Sequence, residues 1–300
     1  MTQFESATED LKANGAPSVS FEFFPPKSDA MEERLWESVT RLEPYGPAFV
    51  SVTYGAGGTT RERTHRTVKR IASETKLKAA AHLTCVGATR AELDEVITSY
   101  ADAGVKHIVA LRGDSPDGVG AAYQAHPGGY ASTPELVAAI RKIGDFDVSV
   151  GCYPECHPDS VDLDHDIDVL KAKVDAGATR AITQFFFDPD IFFRFRDRAV
   201  AAGVTIPIIP GLMLQSNFEG LKRMSGLCNA SIPDDIHAFY DGLENDAEAR
   251  DLVTANVAAR LARKLARGGV EHFHFYTLNR AGLAISTCRL LGVKATAMAA

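Results

Sequence analysis

Eight short apolar runs punctuate the chain, at residues 19–24, 49–53, 78–83, 108–111, 147–150, 181–186, 207–209 and 272–276. Their apolar positions are mostly consecutive rather than alternate, the pattern of strands buried on both faces. Between them lie longer stretches with apolar residues at helical spacing, framed by start signals. Ser28-Asp29 caps a helix over about 30–42, Thr59-Thr60 opens one reaching about 73, and Ser132-Thr133-Pro134 starts another with proline in its first turn. Further helices are expected near 91–103, 166–176, up to 202, 218–225, 234–240, 247–267 and 279–291. Strand and helix alternate eight times, which predicts an α/β fold: a single-domain (βα)8 TIM barrel of parallel strands with extra helices. Its expected bounds are an N-terminal arm over 1–17, the barrel over 18–294 and a tail over 295–300.

Composition narrows the partners. At 45% hydrophobic and 24% charged residues over 300 positions, the chain can bury a full core. A net charge of -7 argues against nucleic acid or an anionic membrane as the main partner. The first ten residues are acidic and lack the apolar core of a signal peptide. The apolar stretch 204–214 is short and broken by Pro207 and Pro210, so no membrane span is expected. Five cysteines, an odd count without a Cys-x-x-Cys pair, suit free thiols in a reducing cytoplasm.

The chemistry gathers where the strands end. Strand one carries Glu22, strand two Thr53, strand three His82, and strand four the Arg112-Gly113-Asp114 turn. Strand five leads to Tyr153 and His157, strand six carries Gln184, and strand eight gives Tyr276 with Arg280 beyond. In a parallel barrel these ends converge on one face, where catalytic groups collect. Glu22 lies among Phe21, Phe23 and Phe24, so desolvation is expected to raise its pKa and suit it to general acid work. A glutamate turned to solvent or paired with a lysine is the plainer alternative. His82 reads as a ligand contact or a hydrogen-bonded core residue, Gln184 as a partner for a heterocycle edge or for backbone, and Arg280 as an anion contact or a helix-end charge. Cys152, Cys156 and His157 match no standard zinc spacing, and His272 with His274 lacks a carboxylate beyond Glu271, so no metal is expected. Neither a phosphate-binding P-loop nor a Gly-x-Gly-x-x-Gly turn is present, and Gly55 to Gly58 reads as a tight turn.

Seven motifs occur in an order that resembles the methylenetetrahydrofolate reductase family over about 19–294. They are Phe21-Glu-Phe-Phe-Pro-Pro-Lys27, Ser51-Val-Thr-Tyr-Gly-Ala56, Ala81-His-Leu-Thr84, Leu111-Arg-Gly-Asp114, Tyr153-Pro-Glu155 with His157-Pro158, Ala181-Ile-Thr-Gln-Phe-Phe-Phe-Asp188 and His274-Phe-Tyr-Thr-Leu-Asn-Arg280. The resemblance implies a flavoprotein oxidoreductase that uses FAD and, by a ping-pong mechanism, reduces 5,10-methylenetetrahydrofolate to 5-methyltetrahydrofolate with NADH or NADPH. It implies a cytoplasmic homo-oligomer in one-carbon metabolism and methionine biosynthesis. Carried over residue by residue, Glu22 is the general acid. Thr53, Tyr54, Ala56, His82, Arg112, Gly113, Asp114, Tyr130, Ala131, Tyr153, His157, Asp166 and Lys173 contact FAD, and Glu22, Asp114, Gln184 and Arg280 contact folate. Arg112 and Lys173 are expected to offset the pyrophosphate charge. Val169, Ala172, Gly220 and Met224 depart from the family pattern at cofactor or folate positions. A flavin-free folate methyltransferase barrel and a metal-dependent barrel hydrolase are the rival readings.

Overall fold

The computed structural model describes residues 15–54, 61–114 and 123–296. Nine parallel strands form one sheet: β1 (Ser18–Phe23), β2 (Val50–Val52), β3 (Ala79–Thr84), β4 (His107–Leu111), β5 (Asp147–Cys152), β6 (Arg180–Thr183), β7 (Ile208–Ile209), β8 (Gly211–Met213) and β9 (His272–Tyr276). Their order is β7-β6-β5-β4-β3-β2-β1-β9-β8. The sheet is a nearly closed barrel, and the seam falls at Pro210, where the seventh expected run (207–209) ends. β7 pairs with β6 while β8, one residue further on, pairs with β9. Pro210 between them has no N–H to give to a ladder, so the chain changes partner there. Its carbonyl still accepts from His274 N at 2.9 Å. Nine strands therefore stand where the pattern predicts eight, because the residues after the seventh run, Gly211–Met213, pair with β9 as a strand of their own.

The helices are α1 (Asp29–Leu42), α2 (Arg61–Glu74), α3 (Arg90–Asp102), α4 (Thr133–Ile143), α5 (Leu163–Asp175), α6 (Pro189–Ala201), α7 (Phe218–Cys228), α8 (Asp234–Tyr240), α9 (Ala247–Arg267) and α10 (Ala281–Leu290). The side chains of Ser28 and Ser132 accept from backbone N–H groups of the first turns of α1 and α4. α5 begins earlier than its apolar pattern, because Asp162 caps it by accepting from His165 N. β6 is shorter than the run 181–186. Its last bond is from Gln184 N to Cys152 O at 2.8 Å, after which Phe186 turns to stack on Phe192 of α6, centroids 5.5 Å apart. The phenylalanines there belong to the barrel–helix layer. Most of the expected arm (residues 1–14), Gly55 to Gly58 with Ala56, and residues 297–300 of the tail lie outside the described residues. Among the described residues, no helix is long and apolar enough to cross a membrane.

Candidate active site

Every strand runs in the same direction, so all the strand-end groups meet at one mouth of the barrel. There they line a cavity of about 1050 Å3 that includes Glu22, Thr53, Tyr54, His82, Asp114, Tyr153, Gln184, Tyr276 and Arg280. A second lobe of about 430 Å3 shares Tyr54, Asp114 and Tyr153 with it and continues past Arg112, Gly113, Ala131, His157, Asp166 and Lys173.

Glu22 is 8% exposed. Its Oε2 faces His82 Nε2 at 3.2 Å and His274 Nε2 at 3.5 Å, and Ser51 Oγ donates to the same oxygen at 3.4 Å. This corrects the expected raised pKa. Burial does push the carboxyl up, but the neighbouring His82 and His274 rings outweigh it and hold Glu22 at about 2. The flanking phenylalanines do not set its environment: Phe21 and Phe23 are fully buried, on the opposite face of the alternating strand. Glu22 is thus a buried carboxylate that shares its surroundings with two imidazole rings.

The Arg112-Gly113-Asp114 turn is shaped by its glycine. Gly113 has φ +86°, and a Cβ there would sit 2.6 Å from Val86 Cγ1. Only glycine takes this left-handed, crowded position without strain. The Arg112 guanidinium is not free: Nη2 pairs with Asp159 at 2.6 Å and the group lies over the Tyr123 ring. Lys173 Nζ donates to Gly151 O at 2.8 Å, and burial lowers its pKa. His157 meets the Tyr153 ring edge to face at 4.5 Å, and burial, aided by Arg112, lowers its pKa. Burial also pushes the Tyr153 hydroxyl up to about 12. Asp166 acts as a clasp for this loop, accepting from His157 N at 2.7 Å and from Ser160 Oγ.

Two expected contacts are bonded to acidic groups of the protein itself. Tyr130 lines neither lobe, and its hydroxyl donates to Asp94 Oδ1 at 2.6 Å. Arg280 reaches the cavity wall but is gripped in a fork by Asp251, at 2.7 and 2.8 Å, and also donates to Ser216 Oγ. Gln184 lines the cavity, and its Oε1 accepts from Phe185 N at 3.0 Å. Val169 and Ala172 line the second lobe and Met224 the first, so three of the four departures face the cavities.

Two partners of Glu22 escape a strand-end reading. His274 and Ser51 lie within the barrel, and His274 has no exposed surface. The alternation of Ser20 with Glu22 and of His272 with His274 was the available sign: each pair faces inward from a strand, and β1 and β9 are neighbours.

The fold and this mouth define a barrel enzyme, its polar groups gathered at the C-terminal ends of parallel strands. The family model described as methylenetetrahydrofolate reductase matches residues 7–292. A 5,10-methylenetetrahydrofolate reductase of Salmonella typhimurium is 48% identical over 293 residues, covering 97% of each chain. That of Escherichia coli is 49% identical over 283 residues, covering 94% of this chain and 93% of its own. A maize protein named methylenetetrahydrofolate reductase (NADH) 1 is 35% identical over 295 residues, covering 95% of this chain and 50% of the relative. Among solved structures, a Clostridium thermocellum protein titled as binding two copies of 5-methyl-5,6,7,8-tetrahydrofolic acid shares the fold, with a TM-score of 0.61 at 11% identity. It covers 95% of this chain and 97% of its own. The chain belongs to the methylenetetrahydrofolate reductase family of oxidoreductases, a membership that supports methylenetetrahydrofolate reduction as its activity.

Proposed function

We propose that the protein reduces 5,10-methylenetetrahydrofolate to 5-methyltetrahydrofolate with NADH or NADPH, holding FAD in the two-lobed cavity and using Glu22 as general acid. The observation that carries this reading is Glu22 itself, a buried carboxyl between two imidazoles on the wall of a cavity of about 1050 Å3. A purely structural carboxylate would not open onto such a space.

The donor set fits FAD. Thr84 Oγ1 and Tyr123 Oη line the second lobe, buried and with no hydrogen-bond partner among the described residues. Arg112 and Lys173 stand beside them, as an anionic pyrophosphate requires. Thr53, Tyr54, His82, Gly113, Asp114, Ala131, Tyr153, His157 and Asp166 would complete the holding set, and Ala56 and Tyr130 belong to it by family resemblance alone. The chemistry that bound FAD supplies is hydride storage between two half-reactions, the reduced nicotinamide giving the hydride and the folate receiving it. One cavity serving both reactants in turn makes the kinetics ping-pong. The maize relative's name favours NADH among its donors.

The chain's own groups handle position and proton. Gln184 offers its amide N–H groups to a ring edge, since its Oε1 is held by backbone. Arg280, prepositioned by Asp251, meets an anionic substrate tail. Asp114 sits where both lobes meet. Glu22 gives a proton to the folate imidazolidine nitrogen that leaves when the ring opens. Burial raises the carboxyl's proton affinity, and the proton it gives reaches Oε2 from the ring side.

The test begins with colour. Purified protein should take up FAD and turn yellow, bleach with NADH or NADPH without oxygen, and recover when methylenetetrahydrofolate is added. Protein that cannot be loaded with FAD, or that once reduced is not reoxidised by the folate, overturns the reading.

A further inference from the structure

Below Glu22, buried polar side chains continue down the barrel to its other end. His274 Nε2 faces Glu22 Oε2 at 3.5 Å, His274 Nδ1 lies 2.8 Å from Ser20 Oγ, and Ser20 Oγ lies 3.0 Å from His272 Nε2. The β1–β9 register builds this line, setting Ser20 beside His274 and Ser18 beside His272. Ser20 and His274 have no exposed surface. His272 lines a separate cavity of about 620 Å3 at the N-terminal mouth.

A serine hydroxyl carries one proton, and Ser20 Oγ faces two ring nitrogens. The rings are the two partners of this hydroxyl (2.8 and 3.0 Å), so when its proton goes to one ring, that ring accepts and the other donates. If His272 donates, Ser20 donates to His274 Nδ1, and a neutral His274 shows Nε2–H to an ionised Glu22. If His274 donates from Nδ1, its Nε2 offers a lone pair, which a protonated Glu22 satisfies. The two arrangements match the two protonation states of the carboxyl.

We propose that His272, Ser20 and His274 are positioning residues that set the protonation of Glu22 from the far mouth of the barrel. Conversion takes up one proton from solvent at His272 Nδ1. The Nε2 proton of His272 passes to Ser20 Oγ, the hydroxyl proton to His274 Nδ1, and the Nε2 proton of His274 to Glu22. One O–H bond forms on the carboxyl, and the reverse sequence releases one proton to the lower mouth. Burial, with His274 and Arg180, lowers the His272 pKa to about 4, so the ring is neutral near pH 7 and open to either tautomer. The other titratable or charged groups along the line are His82 and Tyr276 near Glu22, and His107, Asp147 and Arg180 near the lower end.

This inference rests on Glu22 being the acid, and the experiment separates the two. In 15N-histidine NMR of the free protein near pH 7, His274 and His272 should both carry their proton on Nε2, as an ionised Glu22 demands. His274 protonated on Nδ1 instead overturns the line. Kinetically, the FAD-loaded protein is reduced, and its reoxidation by methylenetetrahydrofolate is followed in mixtures of H2O and D2O. Wild type should give a curved dependence on deuterium fraction, because several protons move together. Ser20→Ala, which leaves a buried N–H without a partner, should be about ten-fold slower with a linear dependence. His272→Gln keeps a side-chain amide that can bond Ser20 but cannot pass a proton, and should behave the same way. In both variants flavin reduction by NADH or NADPH should be unchanged, which reports intact folding. Wild-type rates with a curved dependence in Ser20→Ala or His272→Gln overturn the line. Equal loss of both half-reactions in Glu22→Gln overturns the acid assignment instead.

Discussion

The two mouths of the barrel carry the same kinds of side chain and use them in opposite ways. At the N-terminal mouth, the polar groups close on one another. His107 Nε2 bonds Ser149 Oγ at 2.7 Å, Arg180 pairs with Asp147 at 2.6 Å, and Thr179 donates to the same carboxylate. At the C-terminal mouth, Thr84 Oγ1 and Tyr123 Oη have no partner among the described residues, and Glu22 is crowded by rings on a cavity wall. Burying a polar atom costs free energy unless something bonds it. Polar groups that satisfy each other, such as His107 with Ser149 and Arg180 with Asp147, brace the barrel, and groups that wait for a partner are built around a ligand.

The sharpest way to break this comparison is at Glu22. Glu22→Gln removes the transferable proton but keeps the shape. Folate-driven reoxidation should fall by about 10^2- to 10^4-fold while flavin reduction stays within about two-fold, measured by stopped flow. A comparable loss in the first half-reaction would place Glu22 among the merely structural groups.

Acid should act next, and at both ends. Burial first, then Arg180, lowers the His107 pKa to about 3, and His272 falls to about 4. These rings stay neutral in the fold while the unfolded chain binds protons near pH 6.5, so stability is complete above that value and is lost as pH falls toward 4. Glu22, held at about 2, adds a loss below about pH 4.5 as the unfolded carboxyl protonates. Denaturant unfolding should lose on the order of a few kcal/mol between pH 7 and 4. A flat profile would mean the rings are not buried neutral.

Arg180→Leu sharpens the contrast from the structural side. It leaves Asp147 without its ion pair, and should cost about 1–3 kcal/mol in urea unfolding while both half-reaction rates stay near wild type. A selective loss of folate reduction would show that the Arg180–Asp147 pair, and not only the His272 line, takes part in the chemistry. The smallest effect is expected at Lys173→Met, where FAD affinity should weaken by about ten-fold, read by fluorescence titration, with little change in rate at saturation. Unchanged affinity would remove Lys173 from the holding set.

Much of this was legible in the chain. Parallel strands put all their C-terminal ends on one side, so Glu22, His82, Asp114, Tyr153, Gln184 and Arg280 converge as their places after apolar runs require. Tyr130 shows the limit. It follows a loop rather than a strand, and its hydroxyl found Asp94 on the adjoining helix. The environment of Glu22 shows another. Its sequence neighbours are aromatic, but in a strand the flanking residues point away, and groups from β3 and β9 decide its charge.

The alternation of apolar runs with amphipathic helices by itself determined a parallel barrel and the mouth at which its polar ends would gather, because strand direction and side-chain alternation are local properties. Tertiary structure alone decided that Glu22 is held as a carboxylate, that Pro210 marks the seam, and that Ser20 and His274 lie behind the acid. Each of these depends on contacts between residues distant in the chain, and on register between strands that no local pattern encodes.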